Sequence, residues 1–188
     1  KYLDLKKKFL VIFRGINVDY FDPSTTTESE EDKLFKKWEL TVGQKVILLP
    51  GRLTSWKGQE TFIESLSIVN KELGYQKVCG IILGSELGRD VYKKKLIRLA
   101  DQFRLVNQIK FIENCGNMPL AYKISDIVVS ASIEPEAFGR IAVEAQSMEK
   151  PIIASNIGGS NETIINDKTG FLFEAGSALS LSKKIIEV

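Results

Sequence analysis

The chain contains no histidine. That excludes Ser-His-Asp and Cys-His nucleophilic catalysis, and histidine-ligated zinc, from what these residues can do by themselves. Cysteine is nearly as scarce, with Cys79 and Cys115 standing 36 positions apart and forming no CxxC pair. Cys79 falls in an apolar run and Cys115 in a loop, so both read as free thiols of a reducing compartment. No apolar run approaches 18 residues, the length at which a membrane-spanning helix becomes a candidate. No signal-peptide pattern is visible, and the cytoplasm is the expected location. Neither sign of charge dominates: the net charge is +2, which gives no case for nucleic acid. The lysine clusters Lys6-Lys7-Lys8 and Lys93-Lys94-Lys95 leave room for peripheral contact with an anionic membrane surface on its inner face, although such runs are commonly just solvated. G-x-G-x-x-G and Walker motifs are both missing, so dinucleotide and P-loop readings lack their motifs.

What is present is an alternation. Short runs of β-branched and large aliphatic residues occur at Phe9–Phe13, Val46–Leu49, Val78–Leu83, Ile109–Ile112, Ile127–Val129, Ile152–Ala154 and Phe171–Phe173. They show no polar alternation, as strands buried on both faces require. Between them, helical spacing links Phe62, Leu66, Val69 and Leu73, then Val91, Leu96, Leu99 and Phe103, then Ile141, Ala145 and Met148, and finally Leu181 and Ile185. The polar, acidic segment Ser24–Lys33 reads as a mobile loop before a helix at Leu34–Leu40. Strand–helix–strand alternation predicts an α/β, Rossmann-like, doubly wound parallel sheet. The 188 residues suffice for one such domain, and no boundary is expected inside 1–188. A start on Lys1, directly into a strand-like run, leads to the expectation of a piece of a longer protein.

Ligands of open α/β sheets bind beyond the carboxyl ends of the strands, so the loops that follow strands carry the information. Val46–Leu49 runs into a loop with two cations, Arg52 and Lys57, beside Gly51 and Gly58. An arginine fork and a mobile lysine suit phosphate oxygens, and glycine lets the backbone come close. Ile109–Ile112 runs into Glu113 and Asn114. Ile127–Val129 runs into a segment with carboxylates Glu136 and Glu144, eight positions apart, and Ala137-Phe138-Gly139-Arg140 between them. With Glu144 on a helix and Glu136 at its mouth, helical rise separates them by about 12 Å, the reach from a ribose to a sugar carried on its diphosphate. A helix start between them offers unpaired N–H groups and a positive dipole end to phosphate. Two glutamates on a helix are also common solvated decoration, so the surrounding cations and glycines carry the functional reading. After Ile152–Ala154, the pair Gly158-Gly159 with Glu162 fits either a tight backbone turn or a ligand contact.

At these residues the chain resembles the C-terminal, donor-binding half of a retaining glycosyltransferase of family 4, with the GT-B fold. Gly15-Ile16-Asn17-Val18-Asp19 with Phe21 and Pro23 is similar to the family's opening segment, and Gly51-Arg52-Leu53 through Lys57-Gly58 to its cationic loop. Glu136-Ala137-Phe138-Gly139 with Glu144-Ala145 is similar to its paired-glutamate motif. Gly158-Gly159 with Glu162, and Thr169-Gly170-Phe171-Leu172, resemble its closing segments. The resemblance implies that Arg52 and Lys57 hold the diphosphate and stabilise the leaving nucleotide, and that Glu136 contacts the donor sugar. Glu144 would bind the ribose hydroxyls, the backbone of Phe138, Gly139 and Arg140 would cap the diphosphate, and Glu113 and Asn114 would lie along the base. The substrate would be a nucleotide-diphosphate sugar, a UDP-sugar first, with a saccharide or lipid-linked acceptor held by an N-terminal domain not included here. Enzymes of lipopolysaccharide and capsular polysaccharide biosynthesis are nearest in kind. No metal and no cofactor is expected, in keeping with the lack of a DxD triplet. Glu86 and Asn114 depart from the glycines usual at those places. The rival readings are a nucleotide-sugar epimerase on the same fold, against which the missing histidine counts, and a non-catalytic nucleotide-binding module.

Overall fold

The computed structural model describes residues 12, 14–74, 77–85 and 90–188. Six strands form one sheet: β1 (Lys45–Pro50), β2 (Val78–Leu83), β3 (Ile109–Ile112), β4 (Ile127–Ser130), β5 (Ile152–Ser155) and β6 (Phe171–Phe173). The spatial order is β3-β2-β1-β4-β5-β6, and every pairing is parallel. Six of the seven apolar runs are therefore strands of one parallel sheet. The seventh, Phe9–Phe13, lies outside the described residues but for Ile12, which is in no strand.

Seven α-helices cover the described sheet: α1 (Glu28–Lys37), α2 (Gln59–Leu73), α3 (Asp90–Gln102), α4 (Met118–Lys123), α5 (Arg140–Ser147), α6 (Ser160–Thr163) and α7 (Ala178–Glu187). Successive strand residues point to opposite faces, and both faces are buried. Ile47 and Leu49 of β1 pack with Phe62, Ile63 and Leu66 of α2, Leu96 of α3 and Leu181 and Ile185 of α7. Val46 and Leu48 pack on the other side with Phe21, Leu34 of α1, Tyr122 of α4 and Ala145 of α5. This explains the missing polar alternation in the strand runs. The helical stripes hold except at their ends, where Val91 and Leu73 are exposed.

The segment Ser24–Lys33 is not a loop. It holds a 3₁₀ turn at Pro23–Thr25 and the first turns of α1. The reason is a capping box: Thr27 accepts from the Glu30 amide, and the Glu30 carboxylate accepts from the Thr27 amide. Glu28, Glu30 and Glu31 in the first turn also complement the helix dipole, so the acidity that suggested solvated chain belongs to a helix start.

Candidate functional site

The β1→β2→β3 crossovers build the sheet outward on one side, and the chain then returns to lay β4 against β1. The topological switch point therefore lies between β1 and β4, where two loops leave the sheet side by side. The first, 51–58, ends in a 3₁₀ turn, Ser55–Lys57, and Gly58. The second, 131–139, leads into α5. They are stitched together by the Ile133 amide, which donates to the Trp56 carbonyl at 2.8 Å. Gly58, at φ 71°, sits so close to β4's exit that a Cβ there would stand 1.8 Å from the Ala131 carbonyl oxygen. Gln59 braces the first loop from below by donating to the Arg52 carbonyl at 2.8 Å.

Between the loops opens a cleft of about 680 Å³ lined by Arg14, Arg52, Trp56, Lys57, Glu136, Phe138, Gly139, Arg140 and Glu162, among others. The cationic loop and the segment before α5, far apart in sequence, thus meet in one place. Gly139, at φ 74°, is the N-cap of α5, and no side chain caps that end. The helix's positive pole and first amides are left to the cleft. A second hollow of about 490 Å³ shares Gly51, Arg140 and Ile141 with the first and adds Asn17, Tyr20, Tyr122 and Glu144. The two glutamates therefore stand in adjoining compartments with Arg140 on the boundary.

Each glutamate is held. Glu136 forms an ion pair with Lys57, Nζ to Oε1, at 2.7 Å, and accepts from the Ser132 hydroxyl on the same oxygen. Lys57 Nζ also lies 4.4 Å from the centre of the Trp56 ring, a cation–π contact. Glu144 is 6% exposed. Its Oε1 takes Arg140 at 2.7 Å and its Oε2 accepts from the Tyr122 hydroxyl at 2.8 Å. Burial, with the Glu144 charge beside it, pushes the Tyr122 phenol well above its ordinary range, so it serves as a donor throughout the working pH range.

Glu144 lies on α5 and Glu136 ahead of its start, as expected, but the helix begins at Arg140, four residues after Glu136, so helical rise does not set their separation. Glu136 is placed by its loop, whose carbonyl accepts from the Gly159 amide at 2.7 Å. Gly159 packs so tightly there that a Cβ would stand 2.6 Å from the Phe138 backbone, which accounts for the glycine by close approach. Glu113 and Asn114 leave the end of β3, the sheet's edge strand, two strands away from β1. Glu113 is exposed and pairs with Lys93 at 2.6 Å. Both share the C-terminal edge of the sheet with the cleft but are not gathered into its lining. Glu86 lies outside the described residues. Trp56, Ser132, Arg14 and Tyr122 were not singled out by sequence. Tyr122 sat unremarked in an apolar stretch of α4, and only the packing of α4 against α5 shows its hydroxyl on Glu144.

Among the described residues no helix is long and apolar enough to cross a membrane. The family model for glycosyl transferases group 1 matches residues 30–188. A glycosyltransferase from Rickettsia africae ESF-5 is 39% identical, covers 97% of this chain and 47% of its own, and superposes with a TM-score of 0.91. HepE of Anabaena, solved in complex with UDP-glucose, is 29% identical over 95% of this chain and 47% of its own, with a TM-score of 0.84. Spore coat protein SA of Bacillus subtilis (strain 168) is 29% identical over 178 residues, 92% of this chain and 46% of its own length. The fold matches GT-B glycosyltransferase structures. The chain spans less than half the length of the curated relatives it matches.

Proposed function

This chain belongs to the glycosyl transferases group 1 family, and from that premise we propose that it is the donor-binding half of a retaining, metal-independent GT-B enzyme of family 4. The enzyme moves a hexosyl group from a nucleotide-diphosphate sugar, a UDP-sugar first, to a saccharide or lipid-linked acceptor held by a second, N-terminal domain. The observation that carries this is the meeting of Arg52, Lys57 and the uncapped start of α5 in one cleft at the switch point. A leaving nucleoside diphosphate gains negative charge as the glycosidic bond breaks. Fixed cations and amides in a partly dry cleft stabilise that charge without having to reorganise. Arg52 and Lys57 take the diphosphate, the Phe138–Arg140 backbone caps it, Glu136 takes sugar hydroxyls and Glu144 takes the ribose. Glu113 and Asn114 are the groups left to the side of the base. Two adjoining hollows suit a ligand with two polar ends and phosphates between, and the UDP-glucose held by HepE supports uridine as the base. The family is one of transferases, so the epimerase and non-catalytic readings are not favoured.

Calorimetry or thermal shift with UDP, GDP, ADP and UMP tests the assignment. UDP is expected to bind most tightly, and at least about tenfold better than UMP, because the second phosphate gains charge-assisted contacts. Glu144→Ala is expected to cost on the order of 1.5–3 kcal/mol of UDP affinity, the loss of a charged hydrogen-bond acceptor for ribose. Equal binding of UMP and UDP would remove the diphosphate from this cleft. Transfer that persists in excess chelator, with the product's anomeric configuration kept by NMR, is the expected outcome for the metal-independent, retaining part.

A further inference from the structure

Lys57 and Glu136 have separate tasks in the donor complex, one at the phosphate and one at the sugar. Across the cleft they hold each other, 2.7 Å apart, with side chains only 11% and 18% exposed. That burial removes most of the solvent screening that makes surface pairs weak. The Ser132 hydroxyl on Oε1 and the Trp56 face under Nζ keep both partners in register. A diphosphate that binds Lys57 in this cleft competes with Glu136 for the same ammonium.

What happens to Glu136 then depends on the ligand. An intact donor brings phosphates for Lys57 and sugar hydroxyls for Glu136, so both ends of the broken pair find new partners. The nucleoside diphosphate left after transfer brings only the phosphates. Glu136 then stands half-buried beside an added polyanion with no sugar hydroxyl to bind and only Ser132 left to it, which is costly. We propose that Glu136 is a release group: it reclaims Lys57 once the sugar has gone, and so loosens the site's hold on the free nucleoside diphosphate while sparing the intact donor. This rests on the cleft being the donor site.

The test is a double-mutant cycle on the full-length protein, with the Kd of UDP measured by calorimetry for wild type, Glu136→Gln, Lys57→Met and the double variant. Glutamine keeps an acceptor for Ser132 and removes the charge. Glu136→Gln is expected to bind UDP roughly five- to twentyfold more tightly, by freeing Lys57, with a slower UDP off-rate in stopped flow, while its affinity for UDP-glucose does not rise. In the Lys57→Met background the same substitution is expected to change the UDP Kd by less than about twofold. Unchanged or weaker UDP binding by Glu136→Gln overturns the proposal. So does tightening that persists without Lys57, which would mark Glu136 as a simple repulsive charge; in both cases the donor site stands if Lys57→Met weakens UDP. If Lys57→Met leaves UDP affinity unchanged, the donor-site assignment fails and the release role with it.

Discussion

Lys57→Ala is expected to lower kcat of the full-length enzyme by roughly 10²–10³-fold, the loss typical of a fixed group that stabilises transition-state charge. Three constraints at once fix Lys57: the Ser55–Lys57 turn, the Trp56 face at 4.4 Å and the Glu136 carboxylate at 2.7 Å. Its side chain is mostly withdrawn from water, where a cation is worth more to a leaving diphosphate than a solvated one. Arginine would not substitute well, because a planar fork cannot occupy the point position of an ammonium between ring and carboxylate. A transfer assay with saturating donor, read beside the melting temperature of the variant, checks this. A kcat within about threefold of wild type, in a protein of unchanged stability, would take Lys57 away from the leaving group.

Gly58→Ala is expected to destabilise the chain by on the order of 2–5 kcal/mol. A left-handed backbone costs an L-residue about 1–2 kcal/mol, and forcing atoms into a filled space costs about 1–3 kcal/mol or more. Here the obstacle is the Ala131 carbonyl oxygen, 1.8 Å from the new Cβ, and backbone does not step aside as a flexible side chain would. The effect is local as well as global. Gly58 joins the Lys57 turn to β4's exit, so relieving the clash pushes the cationic loop away from Glu136. Urea denaturation, with the slope compared between variants, gives the number. A loss under about 1 kcal/mol would mean that the two loops are not locked where they cross.

How much of this could be read from the residues varies with the kind of information. The strands were legible, because burial on both faces writes itself as uninterrupted Val, Ile and Leu; the six described runs match to within a residue at each end. Parallel pairing then forces every strand-end loop to one edge, so the meeting of Arg52 and Lys57 with Gly139 followed from topology. The start of α1 is hidden by its acidity, which masks the Thr27-x-x-Glu30 spacing that nucleates the helix. The relation of Glu136 to Glu144 was drawn from helix geometry, which fails where a left-handed Gly139 begins the helix late. What no spacing could show is pairing across the fold. Tyr122 on Glu144 and Glu136 on Lys57 join residues from separate loops or helices, and side-chain partners chosen by packing leave no local signature.

The return of the chain to lay β4 beside β1 has a kinetic side. Ile47 pairs with Ile127 and Leu48 with Val128 only after the whole β2–β3 excursion has been closed as a loop. Closing so long a loop is entropically uphill until its contacts form, which places such pairings late in the folding of a parallel sheet. The cleft is made from the two loops that leave exactly this seam, so it exists only in chains that have completed the seam. A nucleotide that binds there holds the finished fold and none of its precursors, and the chain would be exposed to degradation for as long as that seam stays open.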